Sequence, residues 1–149
     1  MSDIKASLTS AMKDAMRARD SVRLGVIRMA LAAFKQVEVD ERIEVSDERA
    51  LVIMDKLVKQ RQDAATQYAD AGRQELADTE LAEIEVLREF LPAPLSEAEI
   101  DALIDQAIAA TGAAGMQDMG KVMGQLKPQL QGRADMGAVS GRIKARLSA

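Results

Sequence analysis

The sequence contains no cysteine and no histidine. Without cysteine there can be no disulfide, no thiolate metal site and no cysteine nucleophile. Without histidine, the usual general base near neutral pH and the commonest metal ligand are missing as well. Tryptophan is absent, and Phe34, Phe90 and Tyr68 are the whole aromatic complement. The core must therefore be built from aliphatic side chains, and a stacking platform for single-stranded nucleic acid is disfavoured. No run approaches the ~20 apolar residues of a membrane helix. Lys5 and Lys13 interrupt any apolar stretch at the N-terminus. Together these absences set the expectation of a soluble, cytoplasmic chain with no cofactor, no metal and no membrane partner.

What is present is a globular composition of 149 residues, 48% hydrophobic and 30% charged. That length suits one domain or two small ones. The net charge of −4 conceals a pattern. Residues 1–37 hold seven basic and three acidic side chains, a net of +4, and residues 117–149 hold six and two, again +4. The middle therefore carries −12. A basic tail on an acidic protein suits an anionic partner, or equally a solvated face that meets acidic patches of its own chain.

Every periodic segment has the helical period, and none alternates as a strand does. A first helix after Ser2 places Ile4, Leu8, Ala11 and Ala15 on one face. Asp20 and Ser21 read as a break and a new cap. The second helix has two apolar stripes, Leu24, Ile27, Leu31 and Phe34, and Val22, Val26, Met29, Ala33 and Val37, which predicts a central helix. Residues 38–48 read as a charged connector. Ser46 caps a third helix with Leu51, Met54, Val58, Ala65 and Tyr68 inside, and Gly72 is placed to end it left-handed. A fourth helix turns Leu81, Ile84, Leu87 and Leu91 inward and Glu80, Glu83, Glu85 and Glu89 outward. Glu80 and Glu83 could share a face as metal ligands do, but with no histidine beside them a solvated face is the better reading.

Leu91-Pro92-Ala93-Pro94-Leu95 is the clearest boundary, because prolines two apart prevent a helix and favour a semi-rigid link. Ser96-Glu97-Ala98-Glu99 then opens a helix with a full capping box. Ile100, Leu103, Ile104 and Ala107 form its buried face, and Gly112 ends it. Two further helices follow, the last with Val139, Ile143 and Leu147 inside. The expected fold is all-α: an N-terminal bundle of about four helices over 1–91, a Pro hinge, and a C-terminal three-helix tail domain over 92–149.

Within the tail, Met116, Met119, Met123, Leu126 and Leu130 recur at three- and four-residue steps, the pattern of a core stripe. Gly120 and Gly124 share a face, and each costs a helix about 1 kcal/mol against alanine. Two readings offset that cost. A neighbouring helix approaches closely, or a phosphate backbone approaches the exposed main chain. Pro128 predicts a break or kink near Lys127. Gly132 to Asp135 reads as a turn in which Asp135 caps the last helix.

Asp118-Met119-Gly120-Lys121-Val122-Met123-Gly124, followed by Gly132-Arg133-Ala134-Asp135, resembles the tail of the GatB/YqeY family. That tail stands at the C-terminus of the B subunit of the tRNA-dependent amidotransferase and in small free-standing proteins. Val26-Ile27-Arg28-Met29, Ala32-Ala33, Lys59-Gln60-Arg61, Tyr68, Ala71-Gly72-Arg73, Phe90-Leu91-Pro92 and Leu95-Ser96-Glu97 are similar to the family pattern along nearly the whole chain. Met136 departs from it, at a position where glycine is frequent. The resemblance implies a tRNA-contacting accessory module, working with amidotransferase or synthetase components. It associates the chain with carbon–nitrogen ligases that use glutamine as amido-N-donor. No segment matches that enzyme's catalytic cradle, so no catalytic residue carries over. The residues it implies for RNA contact are Lys121, Lys127 and Arg133, with the main chain at Gly120, Gly124 and Gly132. Arg142, Lys144 and Arg146 join them as nearby cations. No DNA contact is expected.

The competing reading is a helical protein–protein adaptor without RNA contact, which predicts an exposed apolar patch on the tail. A third reading, an enzyme, would need a perturbed lysine or carboxylate such as Lys56, Lys59 or Glu83. Each of those is more simply a surface charge.

Overall fold

A computed structural model describes residues 3–148. Among them are seven α-helices and one short 3-10 turn, and no strand. The chain divides into two compact units, Met1–Pro92 and Ala93–Ala149.

The N-terminal unit holds α1 (Asp3–Ala18), α2 (Ser21–Glu41), α3 (Asp47–Asp70) and α4 (Gln74–Arg88). Ser2 lies outside the described residues, so the start of α1 is read from Asp3 onward. Asp20 caps α2 by accepting from the Arg23 backbone N–H, and Ser46 caps α3 by accepting from that of Arg49. Gly72, at φ +75, turns the chain from α3 into α4. Leu8, Ile27, Phe34, Met54 and Leu87 are fully buried at the centre. At that density, truncating Phe34 to alanine costs about 3–5 kcal/mol.

Three details of this unit depart from the sequence reading. Helix α2 runs on to Glu41, so the connector is residues 42–46 and not 38–48. Glu38 explains the extension: its side chain is used from within the helix. It accepts from Lys5 Nζ at 2.6 Å and from the Val45 backbone N–H at 3.3 Å, tying α2 to α1 and to the connector. Val45 is thereby buried in the middle of the connector. The second stripe of α2 is incomplete, since Val22 is 67% exposed. On α4 the inward positions are Ala77, Ile84 and Leu87, which leaves Leu81 outside.

The C-terminal unit holds α5 (Glu97–Thr111), a 3-10 turn (Met116–Asp118), α6 (Met119–Leu130) and α7 (Met136–Leu147). Ser96 and Glu99 form the expected capping box, and Gly112 ends α5 at φ +66. Asp135 caps α7 through the Gly137 backbone N–H. The core joins Ile104 and Ala107 to Val122, Leu126 and Leu130 and to Val139, Ile143 and Leu147.

Two tail expectations change. The buried stripe of α6 is Val122, Leu126 and Leu130, while Met119 and Met123 flank it and Met116 is 43% exposed. Branched Val122 fills the position facing the core, and the methionines pack along its edges. Helix α6 also continues through Pro128 to Leu130. Proline deletes one backbone donor, but it falls in the last turn, where only two helical residues follow.

Candidate RNA-contacting surface of the C-terminal unit

The surface of α6 follows from its core stripe. With Val122, Leu126 and Leu130 turned inward, Gly120 and Gly124 fall on the opposite side of the helix. Both are exposed, and a Cβ built on either meets no atom within 4 Å. Close approach of a neighbouring helix within this unit therefore does not explain them. Lys121 and Lys127 stand on either side of this glycine strip, about 120° apart around the axis and about 9 Å apart along it. Both are exposed. Among the described residues Lys127 makes no ion pair, and Lys121 lies 4.0 Å from Asp118 Oδ1 with its side chain 72% exposed.

Asp118 holds the entrance to α6. Its Oδ2 accepts from the Ala114 N–H at 2.9 Å and from the Gly115 N–H at 3.4 Å. The Ala114 bond is the main reason its carboxyl titrates below the usual range, with Gly115 and the charge of Lys121 adding to it. Asp118 is thus a structural acceptor first, and its pairing with Lys121 is loose.

The turn after α6 is fixed by backbone. Gly132 takes φ +77, the Arg133 N–H donates to Leu130 O at 2.9 Å, and the Leu95 N–H donates to Arg133 O at 2.9 Å. Arg133 Nε reaches Ala93 O at 3.2 Å. Arg133 is half-buried as a residue and its Nε is committed to this loop, so it offers less to a ligand than the two lysines do.

The remaining cations sit on α7 and divide sharply. Arg142 bonds Asp101 at 2.7 Å and Glu97 at 3.2 Å. Arg146 lies 3.4 Å from Asp101 Oδ1 and is also ion-paired with Asp105. These contacts lace α7 to the acidic edge of α5. The hydrogen bond to Asp101 raises the Arg142 pKa above its ordinary value. Both arginines are thus engaged by carboxylates of α5. Lys144 is exposed without such a partner, on the outward side of α7 beside Gly137 and Gly141. Those two glycines were not singled out from the sequence, although their four-residue spacing repeats that of Gly120 and Gly124. A Cβ on Gly141 also meets nothing within 4 Å.

The positions weighed for catalysis are spoken for or solvated. Glu83 pairs with Arg61 Nε at 3.0 Å, Lys59 lies 3.5 Å from Asp55, and Lys56 is exposed. Among the described residues no group of histidine, cysteine, aspartate or glutamate is arranged to hold a metal. No helix is long and apolar enough to cross a membrane.

This is a small two-unit helical protein whose tail presents glycine and lysine outward. Comparison with known proteins gives it a family. The model of the Yqey-like protein family matches residues 5–147, and the chain belongs to that family. It is similar to a protein of Lachancea thermotolerans, 36% identical over 109 residues, covering 71% of this chain and 58% of that one. A Kluyveromyces lactis protein is 33% identical over 106 residues, covering 69% and 57%. A Pyrenophora tritici-repentis protein is 27% identical over 130 residues, covering 85% and 71%. All three are named Altered inheritance of mitochondria protein 41, mitochondrial. The chain spans less than three fifths of the length of the first two. The cytoplasmic placement drawn from the sequence is overturned by these names, which point to mitochondria. Lack of cysteine does not distinguish the cytoplasm from any other reducing aqueous compartment.

Proposed function

We propose that this chain is an RNA-contacting accessory module whose C-terminal unit meets the backbone of a folded RNA, a tRNA in the first instance. The observation that carries the reading is the outward strip of α6. Gly120 and Gly124 leave main chain uncovered there, between two exposed lysines, at a helix position where alanine would be more stable. Uncovered backbone lets a phosphate chain approach closely, and lysines on either side supply the charge. Folded RNA is recognised largely by shape and backbone. Similarity to the tail of the tRNA-dependent amidotransferase B subunit supports the same reading and suggests amidotransferase or synthetase components as co-workers. The catalytic carbon–nitrogen ligase chemistry belongs to that larger enzyme. The mitochondrial naming of the relatives supplies the setting for the proposal.

An adaptor built on the tail finds less support. Among the described residues of the C-terminal unit, Met116 is the one exposed large hydrophobic side chain, so the apolar patch that reading needs is not there.

Fluorescence anisotropy with bulk tRNA across a salt series tests the proposal. A Lys121→Ala/Lys127→Ala/Arg133→Ala variant runs alongside. Binding that weakens steeply with salt and is lost in the variant supports it. Absence of binding at low salt, or equal binding by the variant, sinks it and turns attention to protein partners.

A further inference from the structure

The N-terminal unit has two outward helix faces that complement one another. On α2, the exposed positions Ser21, Gly25, Arg28, Ala32, Lys35 and Val39 form one continuous stripe. From Ser21 to Val37 the helix contains no carboxylate. Among the described residues Arg28 and Lys35 enter no salt bridge, although the charge of Lys35 also acts on Glu38, and Gly25 has open space above it. On α4 the exposed positions include Asp78, Leu81 and Glu85, which share one stripe, with Ala82 beside them.

The two stripes match in spacing and in sign. Arg28 and Lys35 are seven residues apart, two helical turns or about 10.5 Å, and so are Asp78 and Glu85. Ala32 lies between the cations and leaves a notch. Leu81, 45% exposed, lies between the carboxylates and makes a knob. Val22 and Val39, 67% and 62% exposed, extend apolar surface toward both ends of α2.

We propose that the partner for these faces is a second copy of this chain: the α2 face of one protomer docks on the α4 face of the other, and the reverse. In a two-fold dimer each face is used once by each protomer, so one complementary pair of stripes makes two contacts. Exposed ion pairs add little individually. The charges therefore fix register and exclude wrong partners, while Leu81 over Ala32 and the two valines provide the apolar contact. A phosphate backbone would use Arg28 and Lys35 but would gain nothing from Leu81, Val22 or Val39.

Sedimentation equilibrium of the full chain, from low to several hundred micromolar, tests this. The wild type is expected to dimerise with an affinity that falls as salt rises. Arg28→Glu/Lys35→Glu and Asp78→Lys/Glu85→Lys are each expected to weaken the dimer by about tenfold or more. Circular dichroism checks that both remain helical. Mixed in equal amounts, the two variants are expected to dimerise again, because each interface in the mixed dimer pairs opposite charges. A monomeric wild type overturns the proposal. So do variants that still dimerise alone, and so do variants that stay monomeric after mixing.

Discussion

Lys5 Nζ lies 2.6 Å from Glu38 Oε1, across thirty-three positions of sequence. The contact joins the first turn of α1 to the last turns of α2. Glu38 Oε2 also accepts from the Val45 N–H, so one carboxylate fastens two helices and the connector that leads to α3. The Lys5 hydrogen bond is the largest cause of a Glu38 pKa below its ordinary 4.5, followed by the Val45 N–H.

That lowering sets a pH dependence. A carboxyl whose pKa falls on folding stabilises the fold above its unfolded value, and the contribution disappears as pH drops through the folded value. Glu38→Gln is expected to melt at a lower temperature than wild type at pH 7. The gap should narrow as pH falls below 4.5. Thermal melts followed by circular dichroism at both pH values check this, and a gap that stays constant with pH would remove the ionised carboxylate from the explanation.

Arg42 closes α2 in the left-handed region at φ +54. A side chain there crowds its own backbone, at a cost of about 1–2 kcal/mol, and the Arg42 side chain is exposed, with no ion pair among the described residues. Arg42→Gly is expected to raise stability by about 0.5–1 kcal/mol, because part of the relief is returned as greater freedom of the unfolded chain. Urea denaturation measures it. A loss of stability would mean that the αL position is not strained.

The six cations of the tail are not equivalent. Lys127→Ala is expected to reduce the slope of log affinity against log salt for tRNA by about 0.7–0.9, the release of one counterion. Arg142→Gln and Arg146→Gln should leave that slope unchanged, since both side chains are held by α5, and should instead lower the melting temperature. A slope that falls equally in all three would show that the arginines leave their carboxylates to meet RNA.

Helix caps and turn glycines read correctly from the sequence, because each acts through its own neighbours. Asp20, Ser46 and Ser96 cap as their side-chain chemistry requires, and Gly72 and Gly112 turn left-handed as their lack of Cβ allows. Reading failed where the choice depended on contacts remote in sequence. Two apolar stripes compete on α6, and only packing against Ile104 and Ile143 selects Val122 over Met119 and Met123 as the inward one. Glu38 looked like the start of a charged loop because its partner, Lys5, is in another helix. That Gly120 and Gly124 share one face of α6 was legible in their four-residue spacing. Arg142 and Arg146 were grouped with the lysines as nearby cations, and α5's carboxylates become their partners only once the unit is folded.

The glycines of α6 set stability against binding. Gly120→Ala/Gly124→Ala places two methyl groups where no atom lies within 4 Å, so no clash follows. Each replacement improves helix propensity by about 1 kcal/mol, and the double variant is expected to melt at higher temperature than wild type. If the bare main chain admits an RNA backbone, the same variant binds tRNA more weakly even though every cation is retained. Its salt slope should stay unchanged, because the methyl groups hinder approach without removing charge. Melts and anisotropy on one preparation separate the outcomes. A variant that is more stable and binds as well as wild type would remove the glycines from the interface and leave the lysines alone to account for any binding.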